Sequence, residues 1–316
     1  MILVLSHPAD DHAMSVLAEL DRVGHPAVLI DTAEFPSRAS LTQRFEFGHQ
    51  SYEFSTNGRR IDLGEAGAGW WRRPQPFTLE PGIASDDASF TYTECHEAVA
   101  GLWAALGIAW VNPPERDEVA HHKPYQLAAA AKVGLRVPRT VITNDPEAAR
   151  RLIAELGAER TVYKTFLASE ECWRETRILR PAELGLLDHV RLAPVIFQEY
   201  VPAVADIRAT VIGPRIFATA ISAAPGGYDL DYRMDLAGAR FEPTELPAST
   251  ERRIQALMKQ LGLVYGAIDL RRTPDGGYVF LEVNPAGEWR FVEERTHQPI
   301  TEAMAALLAG LDGRGH

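Results

Sequence analysis

Apolar and polar residues alternate between strand and helix patterns through the first third of the chain. Residues 1–6 form a short apolar run that predicts a buried strand. Apolar residues recur at helical spacing between Asp11 and Val23, and residues 25–31 predict a second strand. The order strand, helix, strand predicts a small α/β unit at the amino terminus.

Turn-forming residues divide the pattern that follows. Asn57-Gly58 lies between two alternating segments and is a strong short signal for a β-hairpin. A further strand ends at Trp70-Trp71, a helix is predicted over Tyr92–Leu106, and a strand follows over residues 108–112. Pro113-Pro114 then predicts a domain boundary. Because 316 residues exceed one compact core, two or three subdomains are expected.

Beyond this boundary, helix and strand patterns are mixed, which predicts an α+β arrangement. The predicted helices cover residues 123–133, 146–157, 249–262 and 300–311. The predicted strands cover residues 137–143, 161–166, 194–202, 206–213 and 215–222.

Residues 264–288 predict a further β-hairpin. Two segments rich in β-branched and aromatic residues flank a Pro-Asp-Gly-Gly turn signal. A loop over Pro274–Gly277 sets Thr273 opposite Tyr278, and that register fixes every other pair in the hairpin. Three apolar residues of its second strand are then expected to face the core: Val279, Leu281 and Val283.

The same register gathers three oxygen-bearing side chains on one face of the hairpin. Asp269 is expected opposite Glu282, and directly opposed residues share a face. Asn284 follows Glu282 by two positions and projects on the same side. Converging carboxylates repel each other without a cation between them. An all-oxygen ligand set suits magnesium, which takes its remaining ligands from water and phosphates, so a nucleotide is implied. The alternative is a surface hairpin whose acids are solvated, and the hairpin alone does not decide.

Composition and charge exclude several classes of protein. With 46% hydrophobic and 24% charged residues the chain is globular. A net charge of −11 argues against a nucleic-acid binder with a broad basic face. The first apolar run is too short for a signal peptide, and no stretch is long enough to span a bilayer, so a cytoplasmic protein without a membrane partner is expected. Cys95 and Cys172 are isolated and predict no disulfide framework.

Six segments, taken in order, resemble the ATP-grasp superfamily of carboxylate ligases. They are WWRRP (70–74), KPYQL (123–127), VYKTF (162–166), FQEYVPAVADIRATVIG (197–213), DYRMDL (231–236) and DLRR with FLEVNPAGEW (269–289). The likeness is greatest to graspetide synthetases, the microviridin-type maturases of ribosomal peptides, with ribosomal-protein glutamate ligases next. It implies an ATP-grasp fold with a preceding small Rossmann-like α/β domain. The implied domains are the preceding domain at 1–112, a central lid subdomain at 113–196 and a carboxy-terminal subdomain with the metal-binding hairpin at 197–316.

The resemblance implies that Lys123 and Lys164 meet the phosphates of ATP, work that suits a compact positive charge. Either lysine alone would more typically be a solvated surface residue. The positions implied to bind the adenosine part follow one strand, with Glu199 and the backbone at Tyr200 and Val201 at adenine and Asp206 near the ribose. An ordinary core strand is the alternative for this segment.

Arg208 and Arg233 match arginines that face the reacting phosphate and acyl group, where preorganised positive charge is usually the largest catalytic contribution. The alternative for both is a surface salt bridge. One departure lies in the lid: Phe166–Arg177 contains no glycine, whereas many ATP-grasp proteins place glycine amides over the phosphates. Either side chains such as Arg174 hold the anion there, or the correspondence slips in this segment.

The WWRRP segment supplies Arg72 and Arg73 as candidate contacts to an acidic peptide, since arginine beside aromatic faces suits such binding. Equally, the tryptophans belong to the core and the arginines face solvent.

The resemblance implies a reaction as well. ATP phosphorylates an Asp or Glu side-chain carboxylate of a precursor peptide that has a leader and an acidic core. A Ser or Thr hydroxyl or a Lys amine of the same peptide then displaces phosphate and closes an ω-ester or ω-amide macrocycle. The alternative is an amino-acid or peptide ligase of the ribosomal-protein glutamate ligase type. The assembly state stays open between a monomer and a homodimer.

Two remote alternatives complete the set. His7 to His12 resembles the HPDD metal site of zinc deacetylases, but the inserted Ala9 spoils the spacing and Asp188-His189 is the one remote partner. In the simpler interpretation Asp11 caps the first helix. The other alternative is a non-catalytic nucleotide-binding scaffold.

Overall fold

The computed structural model describes residues 1–166, 177–222 and 238–313. Its helices are α1 (Asp11–Arg22), α2 (Ser85–Ala105), α3 (Pro114–Ala120), α4 (Lys123–Lys132), α5 (Pro146–Leu156), α6 (Ala248–Leu261), α7 (Arg290–Thr296) and α8 (Ile300–Asp312). Its strands are β1 (Ile2–Leu5), β2 (Ala27–Ile30), β3 (Ala39–Glu46), β4 (His49–Thr56), β5 (Arg59–Asp62), β6 (Ala68–Trp71), β7 (Ala109–Val111), β8 (Thr140–Thr143), β9 (Thr161–Lys164), β10 (Arg177–Ile178), β11 (Val195–Glu199), β12 (Ala205–Ile212), β13 (Arg215–Ser222), β14 (Arg240–Pro243), β15 (Tyr265–Arg272) and β16 (Tyr278–Asn284).

The chain divides into two compact units. The first unit comprises Met1–Asp117, Gly262–Tyr265 and Ala286–His316, and the second comprises Glu118–Leu261 and Gly266–Pro285. The first unit therefore takes in the carboxy-terminal segment. In the described part of the chain, no helix is long and apolar enough to cross a membrane.

A parallel four-stranded sheet in the order β2-β1-β6-β7 forms the centre of the first unit. All four residues of β1 are buried, as expected for a parallel strand covered on both faces. Helices α1 and α8 contact each other beside this sheet. The predicted strand, helix, strand order at the amino terminus is confirmed.

A second sheet of the first unit is antiparallel, in the order β3-β4-β5. The hairpin predicted at Asn57-Gly58 is confirmed, and both residues have the positive φ angles, 51° and 74°, that such a two-residue turn requires. Strand β3 was missed because most of its side chains are only partly buried or exposed. Helix α2 begins at Ser85, earlier than the predicted Tyr92, because its first turns are polar and show no apolar repeat.

The second unit contains two antiparallel sheets. One has the order β10-β9-β11-β8, and the other has the order β14-β13-β12-β15-β16. Helix α4 contacts β16, the edge strand of the five-stranded sheet, and also contacts α6. The edge hairpin β15–β16 is the one that the sequence predicts as a metal-binding element.

The register of this hairpin differs from the prediction at its turn. Arg272, rather than Thr273, pairs with Tyr278, so the loop is one residue longer than expected. A β-bulge between Asp269 and Leu270 shifts the register back, and Leu281 is the extra residue on β16. Two opposite deviations thus leave the predicted pair of Asp269 and Glu282 intact.

The bulge also changes which apolar residues of β16 face the core. Val283 is buried as predicted, but Phe280 is fully buried in place of Leu281, which is only half-buried. Val279 is buried as well, yet it lies opposite Arg271, two residues from Asp269, and therefore on the polar face.

Candidate functional site

The three oxygen-bearing side chains of the hairpin share one face. Asp269 pairs with Glu282, and Asn284 pairs with Ala267, two residues before Asp269. Asp269 is buried, Glu282 is half-buried and Asn284 is exposed. Solvent exposure therefore increases along this face, from Asp269 in the interior of the sheet to Asn284 at the end of β16.

Each carboxylate of this face is paired with a cation from the same unit. Nη1 of Arg208, on β12, donates to Oδ1 of Asp269 over 2.9 Å. Nζ of Lys123, at the start of α4, donates to Oε2 of Glu282. The predicted mutual repulsion of the two acids is thus met by two protein cations, and both cations belong to the set predicted to meet the phosphates and the reacting group.

A second ion pair joins the same two strands, with the acid now on β12 and the arginine on β15. Arg271 follows Asp269 by two positions on β15, and its Nε donates to Oδ1 of Asp206 over 2.9 Å. Asp206 in turn precedes Arg208 by two positions on β12. Sequence reasoning missed Arg271, although its alternate spacing from Asp269 placed it on the metal-binding face.

Arg271 also holds the strand end predicted to bind adenine. Its Nη1 donates to the carbonyl of Val201 over 2.7 Å, and its guanidinium lies 5.4 Å from the centre of the Tyr200 ring. Burial is the largest single influence and lowers the pKa of Arg271, but the charge and hydrogen bond of Asp206, together with Tyr200, outweigh it and raise that pKa. The guanidinium therefore stays charged and ties β15 to residues 200–206.

Of the predicted adenine contacts, the backbone N–H of Tyr200 is already used within the fold. It donates to the carbonyl of Arg160 over 2.8 Å, and the N–H of Glu199 donates to the carbonyl of Arg139 over 2.8 Å. The Glu199 carboxylate lies 3.7 Å from Nη2 of Arg160. The amide proton of Tyr200 is therefore used within the fold, and the contact of its backbone with adenine stays a prediction.

Lys164 lies on β9 in the four-stranded sheet of the second unit. Its Nζ donates to Oε1 of Gln198 over 3.1 Å, and Nε2 of Gln198 donates to Oγ1 of Thr140 over 2.9 Å. A polar row across three strands therefore holds the half-buried lysine in place. The other two arginines predicted for the site, Arg174 and Arg233, lie outside the described residues, as does most of the lid segment.

The chemistry of the donor set fits magnesium. Within residues 1–166, 177–222 and 238–313, no group of three or more His, Cys, Asp or Glu side chains is placed to hold a metal. The hairpin offers instead two carboxylates and one amide, a partial oxygen set of the kind that leaves positions for water and phosphate oxygens. Asp269, Glu282 and Asn284 are therefore the residues that would hold the ion.

Arg72 does not have the exposed position that peptide binding requires. It is only 1% exposed; its Nε donates to Oδ2 of Asp10 over 3.0 Å, and its Nη1 donates to the carbonyl of Gly287 over 2.9 Å. Its guanidinium lies beside the rings of Trp70 and Trp289, 5.8 and 5.6 Å from their centres. The prediction of a peptide contact at Arg72 is therefore wrong, because the side chain is part of the core of the first unit.

The side chain of Arg73 lies at the surface of the first unit. Its Nη2 donates to Oε1 of Glu288 over 2.9 Å, and both side chains are substantially exposed. Arg73 thus keeps the accessibility that the peptide-binding hypothesis needs, whereas its neighbour Arg72 does not.

The His7 to His12 segment is a structural element. Asp10, and not Asp11 as predicted, caps α1 by accepting a hydrogen bond from the N–H of His12. Nε2 of His12 accepts from the N–H of Trp289 over 2.9 Å and from that of Arg290 over 3.2 Å. Because both acceptor contacts are backbone amides at the start of α7, this histidine has no lone pair left for zinc, and the deacetylase interpretation fails.

Burial and charge set the protonation of this cluster. Burial and the charge of Arg72 together lower the pKa of His12 although Asp10 raises it, so the net shift favours the neutral imidazole. For Asp10, burial would raise the pKa, but hydrogen bonds from His12 and the charge of Arg72 together hold it well below its usual range. The cluster therefore consists of a neutral His12, which accepts hydrogen bonds, beside the buried ion pair of Asp10 and Arg72.

Comparisons with known proteins show what the chain is similar to. The family model of the MvdD pre-ATP grasp domain matches residues 1–118. Macrocyclase MdnC from Microcystis aeruginosa, whose crystal structure is bound with precursor peptide MdnA, is 30% identical in sequence to this chain. The match covers 98% of this chain and 99% of the MdnC chain, with a TM-score of 0.87.

Two further relatives extend the comparison. The ATP-grasp ligase PsnB, complexed with a minimal precursor, Mg and ADP, is 27% identical, and the match covers 98% of this chain and 97% of that chain with a TM-score of 0.79. A probable α-L-glutamate ligase of Shewanella amazonensis is 27% identical over 70% of this chain and 75% of its own length. The likeness to MdnC at this identity and coverage shows the family, and the chain belongs to the ADP-forming ATP-grasp ligases of the graspetide type.

Proposed function

We propose that this enzyme uses ATP to activate Asp or Glu side-chain carboxylates of a ribosomally made precursor peptide and joins them to Ser, Thr or Lys side chains of the same peptide. The product is an ω-ester or ω-amide macrocycle. The observation that carries the proposal is the pairing of Asp269 with Arg208 and of Glu282 with Lys123, which brings acids suited to a metal and cations suited to phosphate together at one face of the hairpin.

The residues present divide the work of phosphoryl transfer. Lys123 and Lys164 supply positive charge for the phosphates, and Arg208 supplies charge for the reacting phosphate and acyl oxygens. When bound, magnesium neutralises phosphate charge and orients the transfer. Asp206 and the Val201 carbonyl, both fixed by Arg271, define the adenosine end.

The proposed reaction has two steps, formation of an acyl phosphate and its capture by a side chain of the peptide. A peptide carboxylate oxygen attacks the γ-phosphorus of ATP, which releases ADP and leaves an acyl phosphate on the peptide. A hydroxyl or amine of the peptide then attacks the acyl carbon, loses its proton and expels phosphate. Each linkage therefore removes one water from the peptide and consumes one ATP, and no enzyme nucleophile is needed.

The choice of a peptide substrate is supported by the relatives, since MdnC is bound with a precursor peptide and PsnB with a minimal precursor, Mg and ADP. We further propose that the protein works in the cytoplasm, where ATP and newly made peptides are available. We also propose that the ATP-grasp part divides between residues 196 and 197 and that the protein acts as a monomer or a homodimer.

A second candidate is a ligase that adds free glutamate to a peptide or protein, which the likeness to the Shewanella protein favours. It shares the phosphoryl chemistry and differs in the nucleophile. Mass spectrometry separates the two: the enzyme is incubated with ATP, magnesium, free glutamate and a short Thr/Glu-rich precursor peptide, which is to be sought among the neighbouring genes. Macrocyclisation lowers the peptide mass by one water per linkage, whereas glutamate addition raises it. An unchanged peptide without ADP formation would contradict both and favour the non-catalytic scaffold.

A further inference from the structure

Strand β16 carries two of the three proposed metal ligands and lies at the edge of its sheet. An edge strand has backbone N–H and C=O groups on one side that no neighbouring strand satisfies. Such groups need partners when they are buried. In β16 the residue between the two ligands is Val283, and its side chain is buried in the core.

The partner of Val283 is a single side chain from α4. Oε1 of Gln126 accepts from the N–H of Val283 over 3.0 Å, and Nε2 of Gln126 donates to the carbonyl of Val283 over 2.8 Å. The same Nε2 donates to the carbonyl of Ala120 over 2.7 Å. Both amide protons are thus used, and Gln126 is only 3% exposed. The amide replaces the missing strand at this one residue.

Gln126 and Lys123 lie on the same face of α4, since they are three residues apart. Lys123 pairs with the side chain of Glu282, and Gln126 binds the backbone of the next residue. One helical turn therefore contacts both the ligand-bearing side chain and the main chain that carries it.

The bulge makes this contact important. Leu281 is the extra residue of β16, directly before Glu282, so the regular ladder is interrupted next to the ligands. A slip of one residue moves every side chain to the other face of the sheet. Gln126 fixes Val283, and with it the direction in which Glu282 and Asn284 project.

We propose that Gln126 is a positioning residue for the metal-binding strand, acting through the backbone of Val283 on the ligands Glu282 and Asn284. The inference rests on the proposed function, because it presupposes that these ligands hold the divalent ion of a metal–nucleotide complex. A residue that serves stability alone would lower the melting temperature without changing metal affinity.

The test measures binding of Mn²⁺ to the full chain in the presence of saturating ADP, by electron paramagnetic resonance, together with the melting temperature. Gln126→Met removes all three hydrogen bonds at similar side-chain volume. Outer partners of metal ligands typically contribute about 10- to 100-fold in metal affinity, and a weakening of this size is expected. Gln126→Glu keeps one acceptor for the Val283 amide and is expected to weaken Mn²⁺ binding less, which preserves the test if the methionine variant fails to fold.

Two further variants separate the possible outcomes. Leu257→Ala in α6 creates a cavity in the same unit and lowers stability. It removes none of the hydrogen bonds that Lys123 and Gln126 make to β16, so its Mn²⁺ affinity should stay near that of the wild type. Glu282→Gln reports on the metal site itself and should abolish tight Mn²⁺ binding. Unchanged affinity in both Gln126 variants, or an equal loss in Leu257→Ala, would overturn the positioning role while the proposed function stands. Unchanged affinity in Glu282→Gln would overturn the metal site and with it the inference.

Discussion

Nη1 of Arg208 lies 2.9 Å from Oδ1 of Asp269, and the two side chains are only 7% and 12% exposed. The neighbouring pair, Asp206 with Arg271, repeats the contact between the same two strands with the charges exchanged. Buried pairs of this kind are costly to break from one side, since the remaining charge is left uncompensated. The arrangement therefore couples the stability of the sheet to the acid proposed to bind metal.

Removal of Arg208 should expose that coupling. Arg208→Met leaves Asp269 buried without its cation, which typically costs about 3–5 kcal/mol of unfolding free energy. Because magnesium would replace the lost charge, Mg–ADP should stabilise this variant more than it stabilises the wild type in urea denaturation. The double variant Arg208→Met, Asp269→Asn is the control and should recover stability without gaining extra stabilisation from Mg–ADP. Equal stabilisation of all three proteins would contradict the assignment of Asp269 to the metal.

Arg271 should affect nucleotide binding rather than metal binding. Arg271→Met removes the hydrogen bonds that hold the Val201 carbonyl and Asp206 in position. The affinity for ADP without metal should therefore fall, as measured by calorimetry. The adjacent Arg272→Met, on the opposite face of β15, is the control and should bind ADP like the wild type. If both variants bind ADP equally well, the adenosine end lies elsewhere.

Arg72 and Arg73 should differ sharply although they are neighbours. Arg72→Leu leaves Asp10 buried without its cation and should lower the unfolding free energy by about 3–5 kcal/mol. Arg73→Leu breaks an exposed pair with Glu288 and should change it by less than about 1 kcal/mol. Urea denaturation of both variants gives the comparison. Similar losses in the two would contradict the burial of Arg72, and a raised KM for the precursor in Arg73→Leu alone would support its peptide contact.

His12 should make the first unit sensitive to mild acid. Its pKa in the fold lies below the ordinary value of 6.5, so the unfolded chain binds the proton first as the pH falls. The stabilising contribution is complete above about pH 6.5 and is lost as the pH falls through the lower folded pKa. The buried pair beside it, Asp10 and Arg72, does not change its own ionisation at the start of this window.

The measurement is the melting temperature between about pH 8 and about pH 5. The wild type should lose stability on acidification, and His12→Gln, which keeps an acceptor for the Trp289 amide, should lose less. Parallel curves for the two proteins would show that His12 is not the titrating group.

The sequence predicted the pair of Asp269 and Glu282 correctly for a reason that was only partly right. Alternation of side chains fixes which residues share a face, but it gives no sign of a bulge, and a loop one residue longer cancelled the bulge at Leu281. Phe280 and Leu281 therefore exchanged places relative to the prediction. A local pattern determines periodicity well, and it determines register only where no residue is extra.

The backbone contacts of Gln126 and Arg271 were beyond sequence reasoning for a different reason, although alternation along β15 did place Arg271 on the same face as Asp269. Their importance lies in contacts to the backbone of Val283 and Val201, residues that are remote in the chain and have ordinary apolar side chains. Arg72 shows the converse error, because a charged residue in an aromatic segment suggested a surface role, whereas its partners Asp10 and Gly287 bury it.

The central claim is that a side-chain carboxylate of the peptide is activated as an acyl phosphate and captured by a side chain of the same peptide. It is tested most directly with a precursor peptide whose Asp and Glu carboxylates carry a heavy oxygen isotope, incubated with the enzyme, ATP, magnesium and free glutamate. The account predicts that each ring lowers the peptide mass by one labelled water and transfers one heavy oxygen to the released phosphate. Phosphate without the label, or a peptide that gains the mass of an amino acid, would contradict it.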